Sequence, residues 1–188
     1  MHKLSHKLGN EWVEYSFPPI FSVSVLKATS RIVAGVPHGD AEVFERLVSS
    51  LEAPYSLLYV LHTPRGEGEP GRYQSPELSS ETFHAFIGQF KSYLSADARF
   101  DLWAHSRSEN ATVVWDRHNL LYAYGPLDKF SSELRTLGFS NGVPQVPDPH
   151  QHHYREALDS SATDLLAAFQ WSRSLLKPAD EQFPIPKK

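Results

Sequence analysis

The stretch Phe100 to Gly125, FDLWAHSRSENATVVWDRHNLLYAYG, limits the fold more than any other part of the chain. Three short runs rich in aromatic and β-branched residues, Phe100–His105, Ala111–Asp116 and Asn119–Tyr124, are separated by polar clusters. That pattern predicts a three-stranded antiparallel meander. Ser106–Asn110 reads as a five-residue polar loop. Arg117-His118 reads as a two-residue hairpin turn, or a longer, bulged one, because the pair lacks the favoured Asn-Gly or Gly-X chemistry. With Asp116 opposite Asn119, Trp115 faces Leu120, Val114 faces Leu121 and Val113 faces Tyr122. With His105 opposite Ala111, Trp103 joins Val113 and Tyr122 on one face, and Leu102 joins Val114 and Leu121 on the other. Both faces are then partly apolar, and helices are expected to cover one of them.

Elements flank this ribbon on both sides. Phe21–Leu26 alternates as a half-buried strand, and Arg31–Val36 reads as its partner through a turn at Ala28–Ser30. Asp40 caps a helix over 41–52, in which Val43, Phe44, Leu47, Val48 and Leu51 share a face and Pro54 is the stop. Tyr55–His62 reads as an interior strand. Thr63–Leu78 carries three glycines and three prolines and reads as a long irregular loop. A helix capped by Ser79 or Ser80 carries the stripe Phe83, Phe86, Ile87, Phe90 and Leu94. Another runs from Pro126 to Leu137 and ends at Gly138. After an irregular stretch over 139–153, Ser161 and Asp164 suggest a capping box for a last helix reaching about Leu176.

The fold class expected is α+β: a mostly antiparallel sheet of about five strands around the 100–125 meander, with helices mainly on one face. A single domain spans 12–176, and residues 1–11 and 177–188 are loosely ordered extensions. The chain has 188 residues, enough for a sizeable core without staples. Its net charge of −4, with no basic stripe, argues against a nucleic-acid partner. The absence of cysteine removes disulfides and thiolate chemistry and suits a reducing compartment. No apolar run is long enough to span a membrane, and MHKLSHKLGNEW lacks the apolar centre of a secretory leader. A cytoplasmic location is expected.

No motif names an activity, so candidate residues rest on chemistry and position. His150, His152 and His153, with Asp148 nearby, offer imidazoles to a divalent metal such as zinc, although neither HExxH nor another standard spacing is present. His62 and His105 end strands near Asp101 and are acid–base candidates. His118 falls in the turn at the opposite end of the meander from His105. Arg65, Arg72 and Tyr73 in the 63–78 segment are candidates for clamping a small anion under a lid, although no phosphate-loop motif accompanies them. The leading expectation is a non-catalytic binding or protein-interaction module. The alternatives are a metal-dependent or histidine-based, hydrolase-like enzyme, and a binder of small anionic ligands.

Overall fold

The computed structural model describes residues 1–26 and 29–180. Twelve strands and four α-helices follow in chain order among them. They are β1 (Leu4–Leu8), β2 (Glu11–Glu14), β3 (Ile20–Leu26), β4 (Thr29–Gly35), α1 (Ala41–Ser49), β5 (Tyr55–Leu61), β6 (Gly71–Leu78) and α2 (Ser80–Ala96). β7 (Phe100–Ser106), β8 (Ala111–Trp115), β9 (Leu120–Tyr124), α3 (Leu127–Thr136), β10 (Ser140–Asn141), β11 (His150–His152), α4 (Asp159–Ala167) and β12 (Ser172–Ser174) complete the order.

The expected five-stranded sheet is wrong. Nine strands form one sheet in the order β10-β3-β4-β9-β8-β7-β5-β6-β12, and β11-β1-β2 form a second sheet of three. Every pairing in the larger sheet is antiparallel except β10 with β3. The undercount arose where polar or punctuated sequence hides strands. Residues 71–78, read as part of a loop, form β6 beside β5. Pro76 is tolerated there because the register shifts between Ser56 and Leu58, and the N–H of Leu57 is taken by Ser75 Oγ at 2.8 Å. Residues 4–8, read as loose, form β1, and Lys3 and Leu4 are fully buried. The last helix stops at Ala167, well short of 176, and Ser172–Ser174 instead adds an edge strand to β6.

The registers of β7, β8 and β9 are each one residue away from expectation. Ser106 pairs with Ala111, and Trp115 pairs with Leu121. Asn110 and Asn119 both take positive φ, 47° and 62°. Each adopts the left-handed conformation that asparagine tolerates better than most residues, and the extra turn residue at 119 makes a bulged loop that shifts the pairing. One slip in a period of two changes which face a side chain occupies. Val113 therefore lies on the opposite face from Trp103 and Tyr122, which share a row with Val114.

One face of the large sheet is a continuous apolar layer. Its rows run Phe21, Ala34, Leu121, Trp115, Leu102, Tyr59, and Ile32, Ala123, Val113, Ala104, Leu57, all essentially inaccessible to water. The helices pack here. Asp40 caps α1 by accepting from Glu42 N, and Ser79 caps α2 by accepting from Thr82 N. Phe44 of α1 stacks on Trp115 with ring centroids 5.9 Å apart. Phe83, Phe86, Ile87, Phe90 and Leu94 of α2 are buried in the same core, each worth roughly 1.5–3 kcal/mol. The opposite face carries Trp103, Val114, Tyr122 and Arg31 and bears the clefts described below. The small sheet docks at the end of the large one where β8 turns into β9: Lys3 Nζ lies 4.0 Å from the centroid of the Trp115 ring, and Ala98 N donates to His153 O at 3.0 Å.

The turn expected at 28–30 falls partly on residues 27–28, and the expected extension falls largely on 181–188; both stretches lie outside the described residues. No helix among the described residues is long and apolar enough to cross a membrane.

Candidate metal centre

The turn from Asp116 to Asn119 is built almost entirely by its own side chains. Asp116 Oδ1 accepts from His118 N and Leu120 N at 2.8 and 2.9 Å. Asn119 Oδ1 accepts from Trp115 Nε1 at 3.0 Å. From the neighbouring strand, Asp101 Oδ1 accepts from Arg117 N at 2.8 Å. These bonds fix the backbone of His118, whose side chain is buried.

Opposite it lies β11. His150 and His152 are two residues apart on an extended strand, so both project to the same side. Antiparallel pairing of Leu4 with His152 and of His6 with His150 holds that strand against β1. The ring centroids of His118, His150 and His152 are 4.8–5.3 Å apart. One ligating nitrogen from each lies within 4.8 Å of the others. A tetrahedral ion with nitrogen ligands at about 2.0–2.1 Å asks for a spacing of about 3.3 Å, so modest rotation of the three rings closes the set.

The protonation pattern suits ligation. His118 Nδ1 faces Asp116 Oδ2 at 3.2 Å, and His150 Nδ1 faces the carbonyl oxygen of Pro147 at 2.9 Å. A carboxylate and a carbonyl only accept, so each Nδ1 donates a proton there and Nε2 is the ring nitrogen left for a ligand. A carboxylate or carbonyl behind the ring is the usual outer partner of a metal-bound histidine. His152 Nε2 is buried with no hydrogen-bond partner. Burial first, then the neighbouring imidazoles of His118 and His150, push His152 down to about 3. Its ring is therefore neutral at physiological pH, the form a metal requires.

His118 and His150 open onto a cleft of about 430 Å³ that Tyr122 and Asp148 also line. Tyr122 forms a wall of a second cleft, about 400 Å³, farther along the same sheet face. The Tyr122 hydroxyl reaches back to Asp116 Oδ2 at 3.5 Å, so one residue borders both clefts and touches the carboxylate behind His118.

No protein-family model, curated protein or solved structure matches this chain.

The residues singled out from sequence do not gather in one place. His150 and His152 are in the cluster, but His153, one residue on along an extended segment, projects to the other side, where Nε2 meets Ser5 Oγ at 2.6 Å. His62 and Asp101 form a buried pair, Nε2 to Oδ2 at 2.9 Å, whose second carboxylate oxygen holds the turn before His118. His105 bonds Thr112 Oγ1 at 3.0 Å, four residues along β7 from Asp101, or about 13 Å. Arg65, Arg72 and Tyr73 do not converge. Arg65 pairs with Asp159 at 3.1 Å, and Arg72 pairs with Asp180. Tyr73 packs edge-on against Tyr59 in the core and donates to Glu69 O at 2.7 Å. Their segment is held down by Glu67, which pairs with the fully buried Arg99 at 3.1 Å. His118 joins the cluster from 32 positions upstream of His150 and from the other sheet. Its only sequence signal is the self-bonding Asp-Arg-His-Asn turn.

Proposed function

We propose that the His118–His150–His152 cluster holds a zinc-class divalent ion and that the protein is a metal-dependent enzyme of the hydrolytic kind. The observation that carries this reading is the set of three imidazoles from two sheets, two of them with Nδ1 protons fixed by acceptors behind the ring. Three protein ligands leave a position on a four-coordinate ion for water or substrate, as in catalytic rather than structural zinc sites. A zinc ion bound there supplies a water acidified to a pKa near 7 and a Lewis acid for a carbonyl or phosphoryl oxygen. The chain's own contribution is positional: Asp116 orients His118, the Pro147 carbonyl orients His150, and the Tyr122 hydroxyl stands beside Asp116 at the cleft wall. We prefer this reading to an interaction module without catalysis because three imidazoles drawn from two sheets, His118 buried and His150 and His152 half-buried, converge on one point. The absence of cysteine keeps a cytoplasmic setting the working assumption.

Protein purified without a histidine tag is the material for the test, by elemental analysis and zinc calorimetry. One zinc per chain is expected. Alanine at 118, 150 or 152 lowers affinity at least 100-fold, while His153→Gln leaves it unchanged. At free zinc 100 times the dissociation constant, stability rises by about 2.7 kcal/mol. Absence of stoichiometric zinc, with a melting temperature indifferent to both zinc and chelator, sinks the reading.

A further inference from the structure

We infer that the second cleft on the open sheet face is an anion subsite, built to take a carboxylate or phosphate group carried on a flat apolar body. The inference rests on the metal reading only in taking the bound molecule as the substrate of that centre.

The hydrogen-bonding capacity left unfilled in the cleft sets the kind of ligand it takes. Two carboxylates and one guanidinium line it. Both carboxylates are already engaged: Asp101 by His62 Nε2 and Arg117 N, and Asp180 by Arg72 and by Lys177 N at 2.6 Å. Arg31 is not. Among the described residues its guanidinium makes one hydrogen bond, Nη1 to the Tyr124 hydroxyl at 2.9 Å, and no ion pair. Both carboxylates thus have their oxygens occupied, and Arg31 is the charged group of this lining that keeps donors to spare among the described residues.

The unsatisfied groups have the same polarity. Arg31 Nε and Trp103 Nε1 are closed off from water without a partner, and both can only donate. A buried donor left unpaired costs roughly 1–3 kcal/mol. What this wall lacks is acceptor oxygens, and an oxyanion brings two or three on one centre.

The floor sets the shape. Trp103, Val114 and Tyr122 lie side by side across β7, β8 and β9, giving a flat apolar surface. The Arg31 guanidinium stands 4.6 Å from the centroid of the Tyr122 ring. A planar group lying on that row places an attached carboxylate or phosphate at Arg31. Tyr122 also lines the cleft shared by His118 and His150, so a ligand anchored at Arg31 lies next to that second cleft.

The test uses benzoate, phenyl phosphate and the neutral benzamide as probes, with binding followed by calorimetry on chelator-treated full-length protein. At least one of the two anions is expected to bind at millimolar or lower concentration, and which one does tells a carboxylate site from a phosphate site. Benzamide binds at least tenfold more weakly. Arg31→Met loses at least tenfold in affinity for the anion, and Arg31→Lys recovers part of it. Failure of both anions to bind, equal binding of benzamide, or wild-type affinity in Arg31→Met overturns the subsite. Zinc failure alongside Arg31-dependent anion binding removes only the link to the metal, whereas zinc binding with anion affinity indifferent to Arg31 removes the subsite and leaves the metal.

Discussion

Replacing Lys3 with methionine isolates an electrostatic load placed at the joint between the two sheets. Lys3 is fully buried. Its ammonium lies 4.0 Å from the Trp115 ring centroid and 4.5 Å from that of Phe100, with the Asp116 carbonyl oxygen at 3.4 Å. Burial pushes its pKa down to about 7 from the ordinary 10.5, against the opposing pull of Asp116, Asp101 and Asp97. The unfolded chain therefore holds one more proton than the folded one between pH 7 and 10.5. Stability contributed by this group rises with pH across that window, and below pH 7 the penalty is constant and fully present. At about 1.4 kcal/mol per pH unit, the gap from 7 to 10.5 amounts to about 5 kcal/mol. Methionine keeps the apolar stem between the two rings and removes the proton. Urea unfolding of both proteins, followed by tryptophan fluorescence at intervals from pH 6 to 10.5, gives the difference curve. The variant's stability relative to wild type is expected to be greatest at pH 6 and to fall by about 5 kcal/mol by pH 10.5. For a chain of this length that is about 10–20 °C in melting temperature. A flat difference curve refutes the argument, because other titrating groups cancel between the two proteins.

Two further substitutions test the carboxylate behind His118 and the buried charge network around Arg99. Asp116→Asn keeps a carbonyl oxygen for the amides of His118 and Leu120 but sets an amide N–H₂ against His118 Nδ1–H; zinc affinity by calorimetry is expected to fall about 10–100-fold, and the metal-free melting temperature to fall with it, because the carboxylate no longer offsets the burial of the Lys3 ammonium. Arg99→Met leaves Asp97, which binds the guanidinium through both oxygens at 2.8 and 2.9 Å, and Glu67 as buried charges without their partner; chemical denaturation is expected to show a loss of roughly 3–5 kcal/mol.

The sequence marks its core strands well because alternation of aromatic and β-branched residues survives in them. Tyr55–Leu61 and the three strands of 100–124 are paired neighbours. Register was not legible, since it turned on Asn110 and Asn119 entering the left-handed region, where one residue of difference exchanges the two faces. Strands β1 and β6 were hidden for opposite reasons. β1 is rich in polar residues, and the burial that fixes it falls on Lys3 and Leu4 at its start. β6 carries Gly71 and Pro76, whose usual meaning is a break, yet a bulge accommodates the proline. In the cluster, His150-Gln151-His152 was legible as two imidazoles with one spacing, but treating the stretch as a loop admitted His153, which strand alternation excludes. His118 was beyond reach of any local pattern, because only the docking of one sheet on the other brings it near.

That docking has a consequence for how the two halves of the site respond to change. The histidine cluster takes His118 from the large sheet and His150 and His152 from the small one, so it exists only while the sheets are joined. The joint is held by the backbone bond in which Ala98 N donates to His153 O at 3.0 Å, and by Arg155. Arg155 donates to Ala96 O at 3.0 Å on one side and to His2 O and Glu14 Oε1 at 2.9 Å on the other. An ion bound by all three histidines stabilises the joint by the free energy it gains there, and its apparent affinity falls in proportion to the fraction of protein in which the joint is open. The anion subsite has no such dependence. Arg31, Trp103 and Tyr122 all belong to the large sheet, so loosening of the small sheet weakens metal binding and leaves anion binding intact.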